Sequence, residues 1–147
     1  MMEKQRIALL GSTGSIGVQT LDIVRENSNL FEITTLTANR NWQRLAQQAV
    51  EFNVDSVVIA DSSLYEPLSQ ALAAYPIKVY AGEEAVAQVA ADDNVDVVVN
   101  ALVGYAGLMP TIAAIKKSKK IALANKETLV VAGQTVMRLA EQYRAPI

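Results

Sequence analysis

Apolar residues in this chain fall in short runs separated by amphipathic stretches. Arg6–Leu10, Phe31–Thr37, Ser56–Ala60, Ile77–Tyr80, Val95–Asn100 and Lys120–Ala124 are rich in β-branched and aliphatic residues and read as strands. Between them lie segments with helical periodicity. Ser15–Glu26 places Ile16, Thr20, Ile23 and Val24 on one predicted face. Asn41 is placed to cap a helix running through Phe52, with Leu45, Ala49 and Phe52 as its buried stripe. Further helices are predicted over Ser63–Ala74, Glu83–Ala90, Met109–Ser118 and Glu127–Arg144. Strand and helix in alternation build a parallel sheet covered on both faces, so the pattern predicts one α/β domain with a doubly wound parallel sheet over residues 1–147.

Composition narrows the chemistry. The 147 residues are 51% hydrophobic, enough for a substantial core. A net charge of −2 argues against nucleic acid as the main partner. No apolar stretch approaches the roughly 20 residues needed to cross a bilayer, and Met1–Arg6 has no leader character. The expectation is a soluble protein of the cytoplasm or plastid stroma. The chain has neither cysteine nor histidine. Disulfides, thiolate nucleophiles, Ser-His pairs and Cys- or His-based metal sites are therefore excluded, leaving Lys, Asp, Glu, Ser, Asn or a bound cofactor. Ala145-Pro146-Ile147 reads as the entry to another buried strand, so the chain is expected to be a fragment of a larger protein.

Gly11, Gly14 and Gly17 stand three apart between the first strand and the first helix. Such a turn brings backbone close to a pyrophosphate, which the helix N-terminus then meets with N–H groups and a partial positive charge. Gly11 would permit the tight turn, Gly14 the approach of the ligand and Gly17 close helix–sheet packing, with Thr13 and Ser15 adding hydroxyl donors. The spacing differs from G-x-G-x-x-G, and the other reading is a plain strand-to-helix turn.

A site for NAD tends to carry Asp or Glu at the tip of the second strand, on the ribose 2′-hydroxyl. Here that position reads Thr37-Ala38-Asn39-Arg40-Asn41-Trp42, without a carboxylate. Arg40 is placed to pair with a 2′-phosphate, which points to NADP(H); its alternative is an exposed loop cation. Trp42 either stacks on the cofactor or packs. The small residues of Asn100–Gly107 would let backbone approach the nicotinamide half, or form a structural loop. Asn125, Lys126 and Glu127 fall where a strand tip meets a helix start, within reach of the nicotinamide ribose and an anionic substrate; a helix cap by Asn125 and Glu127 is the plainer reading. The Lys116–Lys120 cluster reads as a solvated helix end, and Asp92-Asp93 lacks the neighbours a metal would need.

GSTGSIG, TANRN, NALVGYAGLMPT and LANKETLVVAG together resemble the 1-deoxy-D-xylulose 5-phosphate reductoisomerase family, over its N-terminal NADPH-binding domain. The resemblance implies a Rossmann-like fold. It implies that Thr13, Gly14, Ser15 and Ile16 hold the NADPH pyrophosphate and that Asn39, Arg40 and Asn41 hold the 2′-phosphate end. Asn125 and Glu127 would line the cofactor, and Lys126 would contact the sugar phosphate. Asn39 departs from the family's usual Gly, and Asn tolerates the positive φ that a glycine there allows. The implied reaction is an oxidoreductase and isomerase step of isoprenoid biosynthesis. It converts 1-deoxy-D-xylulose 5-phosphate into 2-C-methyl-D-erythritol 4-phosphate with NADPH and a divalent metal, Mg2+ or Mn2+. The metal ligands and any catalytic residues are expected beyond Ile147, so this chain is expected to bind NADPH without turnover. The full-length protein is expected to be a homodimer. Competing readings are another NADP-dependent dehydrogenase, of the dihydrodipicolinate reductase or homoserine dehydrogenase type, and a nucleotide- or CoA-sensing module without catalysis.

Overall fold

The computed structural model describes residues 3–102, 104–123 and 136–147. Within them, six strands form one parallel sheet: β1 (Gln5–Leu10), β2 (Phe31–Ala38), β3 (Ser56–Ile59), β4 (Lys78–Ala81), β5 (Val97–Asn100) and β6 (Lys120–Leu123). The order across the sheet is β4-β3-β2-β1-β5-β6, and every neighbouring pair is parallel. The chain therefore winds outward from β1 in one direction, returns, and winds outward in the other. The reversal lies between β1 and β5, where doubly wound sheets open a crevice at the carboxyl ends of the strands.

The helices are α1 (Ser15–Glu26), α2 (Trp42–Phe52), α3 (Tyr65–Ala71), α4 (Glu83–Ala90) and α5 (Leu108–Lys116), with α6 at residues 136–143. Side chains alternate across the pleat and divide the core in two. Ile7 and Leu9 of β1 join Leu21, Leu45, Ala49 and Leu68 in a cluster under α1, α2 and α3. Ala8 and Leu10 join Val86, Val89, Ala114, Ile115 and Ala140 in a cluster under α4, α5 and α6. With apolar layers on both sides, the central strands read as nearly continuous hydrophobic runs.

Most elements start and stop near their predicted bounds, and three differ. In α1 the buried residues are Gly17, Leu21 and Val24, while Ile16 and Ile23 are 45% and 56% exposed. The close seat of Gly17 sets the helix phase and turns the isoleucines outward. The segment predicted as one helix over Ser63–Ala74 begins as a 3-10 turn at Ser62–Leu64 and becomes α-helical only over Tyr65–Ala71. Lastly, β2 carries a bulge. Ile7 pairs with Ile33 but Ala8 pairs with Thr35, leaving Thr34 as an extra residue. As a result Ile33, Leu36 and Ala38 all join the same core cluster.

At the amino ends of the strands, Arg6 donates from Nε and Nη2 to the two carboxylate oxygens of Asp96, at 3.1 and 3.0 Å. The Arg6 backbone N–H adds a bond of 2.9 Å to the same side chain. These bonds hold the Asp96 carboxyl below its ordinary range. At the far edge, the Ile121 N–H donates to the Pro146 carbonyl at 2.8 Å, which sets the terminal residues beside β6. Residues 145–147 nevertheless form no strand, and Pro146 and Ile147 are exposed, unlike the buried strand entry expected there.

Candidate functional site

The glycine turn lies at the carboxyl end of β1, beside the reversal of strand order. Gly11 has φ +82°, a conformation that L side chains rarely adopt, and a Cβ there would come within 3.0 Å of the Ala101 carbonyl. The turn is thus pressed against the loop leaving β5. A Cβ on Gly17 would collide with the Gly11 carbonyl and lie 2.7 Å from two Ser12 backbone atoms. Gly17 therefore lets α1 press against the turn itself while Leu21 and Val24 of the same helix pack on the sheet, as the close helix–sheet packing expected of this glycine requires.

Gly14 differs from both. It is exposed and adopts an ordinary extended conformation as the N-cap of α1, and a Cβ would meet only the Gly11 carbonyl, at 3.8 Å. Glycine at this position is not explained by packing within the chain. It leaves room above the first turn of α1, where no side chain caps the helix and no acidic residue sits. The N–H groups and the positive end of the helix dipole thus face an open space, the condition for receiving an anion. Thr13 is half-buried at the rim, and Ser15 and Ile16 are exposed in that first turn. The four residues predicted for the pyrophosphate are therefore contiguous and surround this opening.

Three polar side chains to which the sequence reading gives no role of their own shape the region: Thr37 and Gln48 hold the turn, and Asn100 holds the loop after β5. The Thr37 carbonyl accepts from the N–H groups of Gly11 and Ser12 at 3.1 and 2.9 Å, and its hydroxyl accepts from Gly11 at 3.2 Å. Buried Gln48 of α2 accepts from the Ser12 hydroxyl at 2.7 Å and donates to the Ser12 carbonyl at 3.0 Å. On the other side, buried Asn100 donates to the Gly107 carbonyl at 2.8 Å and to Thr111 Oγ1 at 2.7 Å, and accepts from the Leu102 N–H at 3.2 Å. Asn100 thereby folds the loop after β5 over the end of its own strand. One cue was legible: Gln48 stands between Leu45 and Ala49 in the predicted buried stripe, where a polar side chain needs a partner.

Asn39, Arg40 and Asn41 follow β2 and are exposed. Asn41 caps α2 as expected, its side chain accepting from the Arg44 N–H at 3.2 Å. Asn39 does not take positive φ, so its replacement of glycine needs no left-handed backbone. Its carbonyl instead accepts from the Asp61 N–H at 3.0 Å, tying the tips of β2 and β3 together. Arg40 is 72% exposed and forms an ion pair from Nε to Asp61 Oδ2 at 3.3 Å. Hydrogen bonds from Ser63, and then the charge of Arg40, hold the Asp61 carboxyl below its usual range. Trp42 is half-buried and packs against the α1–α3 core cluster.

Between these segments and the loop after β5 lies a cleft of 440 Å³, lined by Thr37, Ala38, Asn39, Ala60, Leu102 and Met109 among others. Larger concavities occur at residues 137–147 and at the amino ends of the strands, but neither contains a predicted site residue. The positions of Asn125, Lys126 and Glu127 lie outside the described residues. Among the described residues no group of three or more Asp or Glu side chains could hold a metal ion, and no helix is long and apolar enough to cross a membrane.

Comparison with known proteins gives a consistent set of likenesses. A family profile described as 1-deoxy-D-xylulose 5-phosphate reductoisomerase matches residues 7–133. The reductoisomerase of Porphyromonas gingivalis is 54% identical over 144 residues, covering 98% of this chain and 37% of its own length. The chain thus spans little more than a third of the relatives it matches. Among solved structures, the Zymomonas mobilis reductoisomerase in complex with NADPH superposes with a TM-score of 0.93 at 40% identity, covering 98% of this chain and 38% of its own. A DOX-P reductoisomerase in complex with NADPH, fosmidomycin and magnesium superposes with a TM-score of 0.91 at 40% identity, covering 95% and 34%.

Proposed function

The chain belongs to the 1-deoxy-D-xylulose 5-phosphate reductoisomerase family, and from that premise we propose that it is the family's NADPH-binding domain. The dinucleotide lies across the carboxyl ends of the central strands. Thr13, Gly14, Ser15 and Ile16 surround its pyrophosphate, and Asn39, Arg40 and Asn41 meet its 2′-phosphate end. Asn125 and Glu127 complete the nicotinamide side, and Lys126 reaches the sugar phosphate.

The observation that carries this reading is the uncapped N-terminus of α1 beneath the space that Gly14 leaves open. Gly11 and Gly17 are required by the chain's own packing; Gly14 is required only if something else comes close. NADP(H) is favoured over NAD(H) because the tip of β2 offers Arg40 where a 2′-hydroxyl partner would be a carboxylate.

In the whole protein this domain serves the conversion of 1-deoxy-D-xylulose 5-phosphate into 2-C-methyl-D-erythritol 4-phosphate, an isoprenoid-pathway step. NADPH supplies the hydride and Mg2+ or Mn2+ supplies Lewis acidity. The contribution of the present residues is to bind and orient the cofactor. The 147 residues alone bind NADPH but do not turn substrate over. The full-length enzyme works as a cytoplasmic homodimer.

Parallel calorimetric titrations with NADPH and NADH test the reading, with Trp42 fluorescence as a second signal. The expected result is binding with a clear preference for NADPH, without NADPH oxidation on adding the sugar phosphate and Mg2+. Equal affinity for the two nucleotides would remove the assignment of Arg40. Substrate-dependent oxidation would overturn the division of labour.

A further inference from the structure

Asp61 stands at the tip of β3 and belongs to none of the segments assigned to the cofactor. Its carboxylate and its backbone are each fixed by hydrogen bonds. Oδ1 accepts from the Ser63 N–H at 3.0 Å and the Ser63 hydroxyl at 2.6 Å, and the Asp61 N–H donates to the Asn39 carbonyl at 3.0 Å. The remaining oxygen, Oδ2, meets Nε of Arg40 at 3.3 Å. Asp61 is 27% exposed while Arg40 is 72% exposed, so the acid is the anchored member and the arginine the free-swinging one. The contact uses the inner nitrogen of the guanidinium. Both terminal nitrogens are without an ion-pair partner among the described residues.

We infer that Asp61 is a positioning residue for cofactor selection, holding the Arg40 guanidinium by its inner nitrogen so that the outer two are presented to a 2′-phosphate. The inference rests on the NADPH reading above and adds to it a residue on a different strand. The physical reason is entropic. An arginine at a loop tip has many rotamers, and a ligand that must order it loses part of the energy of the charge-assisted bonds it forms. A partner on a rigid neighbouring loop restricts those rotamers beforehand. Asp61 suits this role because its two bonds from Ser63 orient the carboxylate and are the main cause of its lowered pKa, with the Arg40 charge adding to them.

The test is a double-mutant cycle on the full chain, read as calorimetric affinities for NADPH and NADH in wild type, Asp61→Asn, Arg40→Ala and the double variant. Exposed ion pairs are weak, so Asp61→Asn is expected to lower NADPH affinity by about threefold. NADH affinity should stay unchanged, and Asp61→Asn should have no further effect once Arg40 is alanine. A general structural role would instead weaken both nucleotides equally and would persist without Arg40, which would overturn the inference. Unchanged or tighter NADPH binding in Asp61→Asn would also overturn it, the latter by making Asp61 a competitor of the phosphate. The failure of the underlying reading looks different. There, wild type would not discriminate between the nucleotides, or Arg40→Ala would leave the preference intact, and the inference would fall with it.

Discussion

Two glycines of the same turn make opposite demands on substitution. At Gly17 an added methyl group would strike the Gly11 carbonyl and Ser12 backbone, neither of which can rotate away. Gly17→Ala is expected to cost about 2–3 kcal/mol, as overpacking of a rigid site does, seen as a lower midpoint in urea denaturation. At Gly14 the added methyl group has space and φ is ordinary. Gly14→Ala is expected to cost less than about 1 kcal/mol, the usual range for alanine at an N-cap, yet to weaken NADPH binding by well over the change in stability. A Gly14 variant that binds NADPH normally would detach the turn from the cofactor. The sequence pattern marks all three glycines and already gives Gly14 to the ligand's approach and Gly17 to packing. It cannot name the atoms they meet: Ala101 against Gly11, and the Gly11 carbonyl and Ser12 backbone against Gly17, come together only in the fold.

At the scale of elements, α2 is the member with most influence on the site. It begins at the Asn39-Arg40-Asn41 segment and, farther along, Gln48 clamps Ser12 through two bonds. One rigid helix therefore links the two ends of the proposed cofactor site. Gln48→Ala would leave buried Ser12 groups without partners, at an expected cost of about 2 kcal/mol, measurable by chemical denaturation. The order and type of the elements were legible because strand runs and helical periodicity differ clearly in this chain. Helix phase was less so. In α1, Ile16, Thr20, Ile23 and Val24 formed a plausible stripe, but the buried residues are Gly17, Leu21 and Val24. A residue without a side chain adds nothing to an apolar pattern, so the contact that orients the helix left no mark in it. Likewise Thr37 acts through bonds to Gly11 and Ser12 on another strand's turn, and Asn100 through bonds across its own loop to Leu102, Gly107 and Thr111, which no helix or strand period records.

For the molecule as a whole, the parallel sheet puts unlike tasks at its two ends. Loops at the carboxyl ends carry the candidate site, while the amino ends are tied by Arg6 and Asp96. Asp96 is more acidic in the folded chain, chiefly through its bonds from Arg6, so its contribution is complete above the ordinary value of 3.8 and is lost as pH falls through the folded-state value. Both side chains are about 40% exposed. The stability gap between wild type and Asp96→Asn is therefore expected to be under about 1 kcal/mol at neutral pH and to close in acid as pH falls through the lowered folded-state value, followed by thermal unfolding across pH. A gap that persists in acid would assign the effect to packing instead.

The extra residue at Thr34 has a reach beyond its own pair of strands. A strand keeps a two-beat rhythm, and the bulge inserts a half-step in it. Were the register regular through Thr34 instead of bulged, the outer half of β2 would be turned inside out: Leu36 and Ala38 would exchange places with Thr35 and Thr37, and the Thr37 hydroxyl would point away from Gly11. The turn at the end of β1 is thus kept in tune by a miscount in the strand next to it, at a residue outside the candidate site.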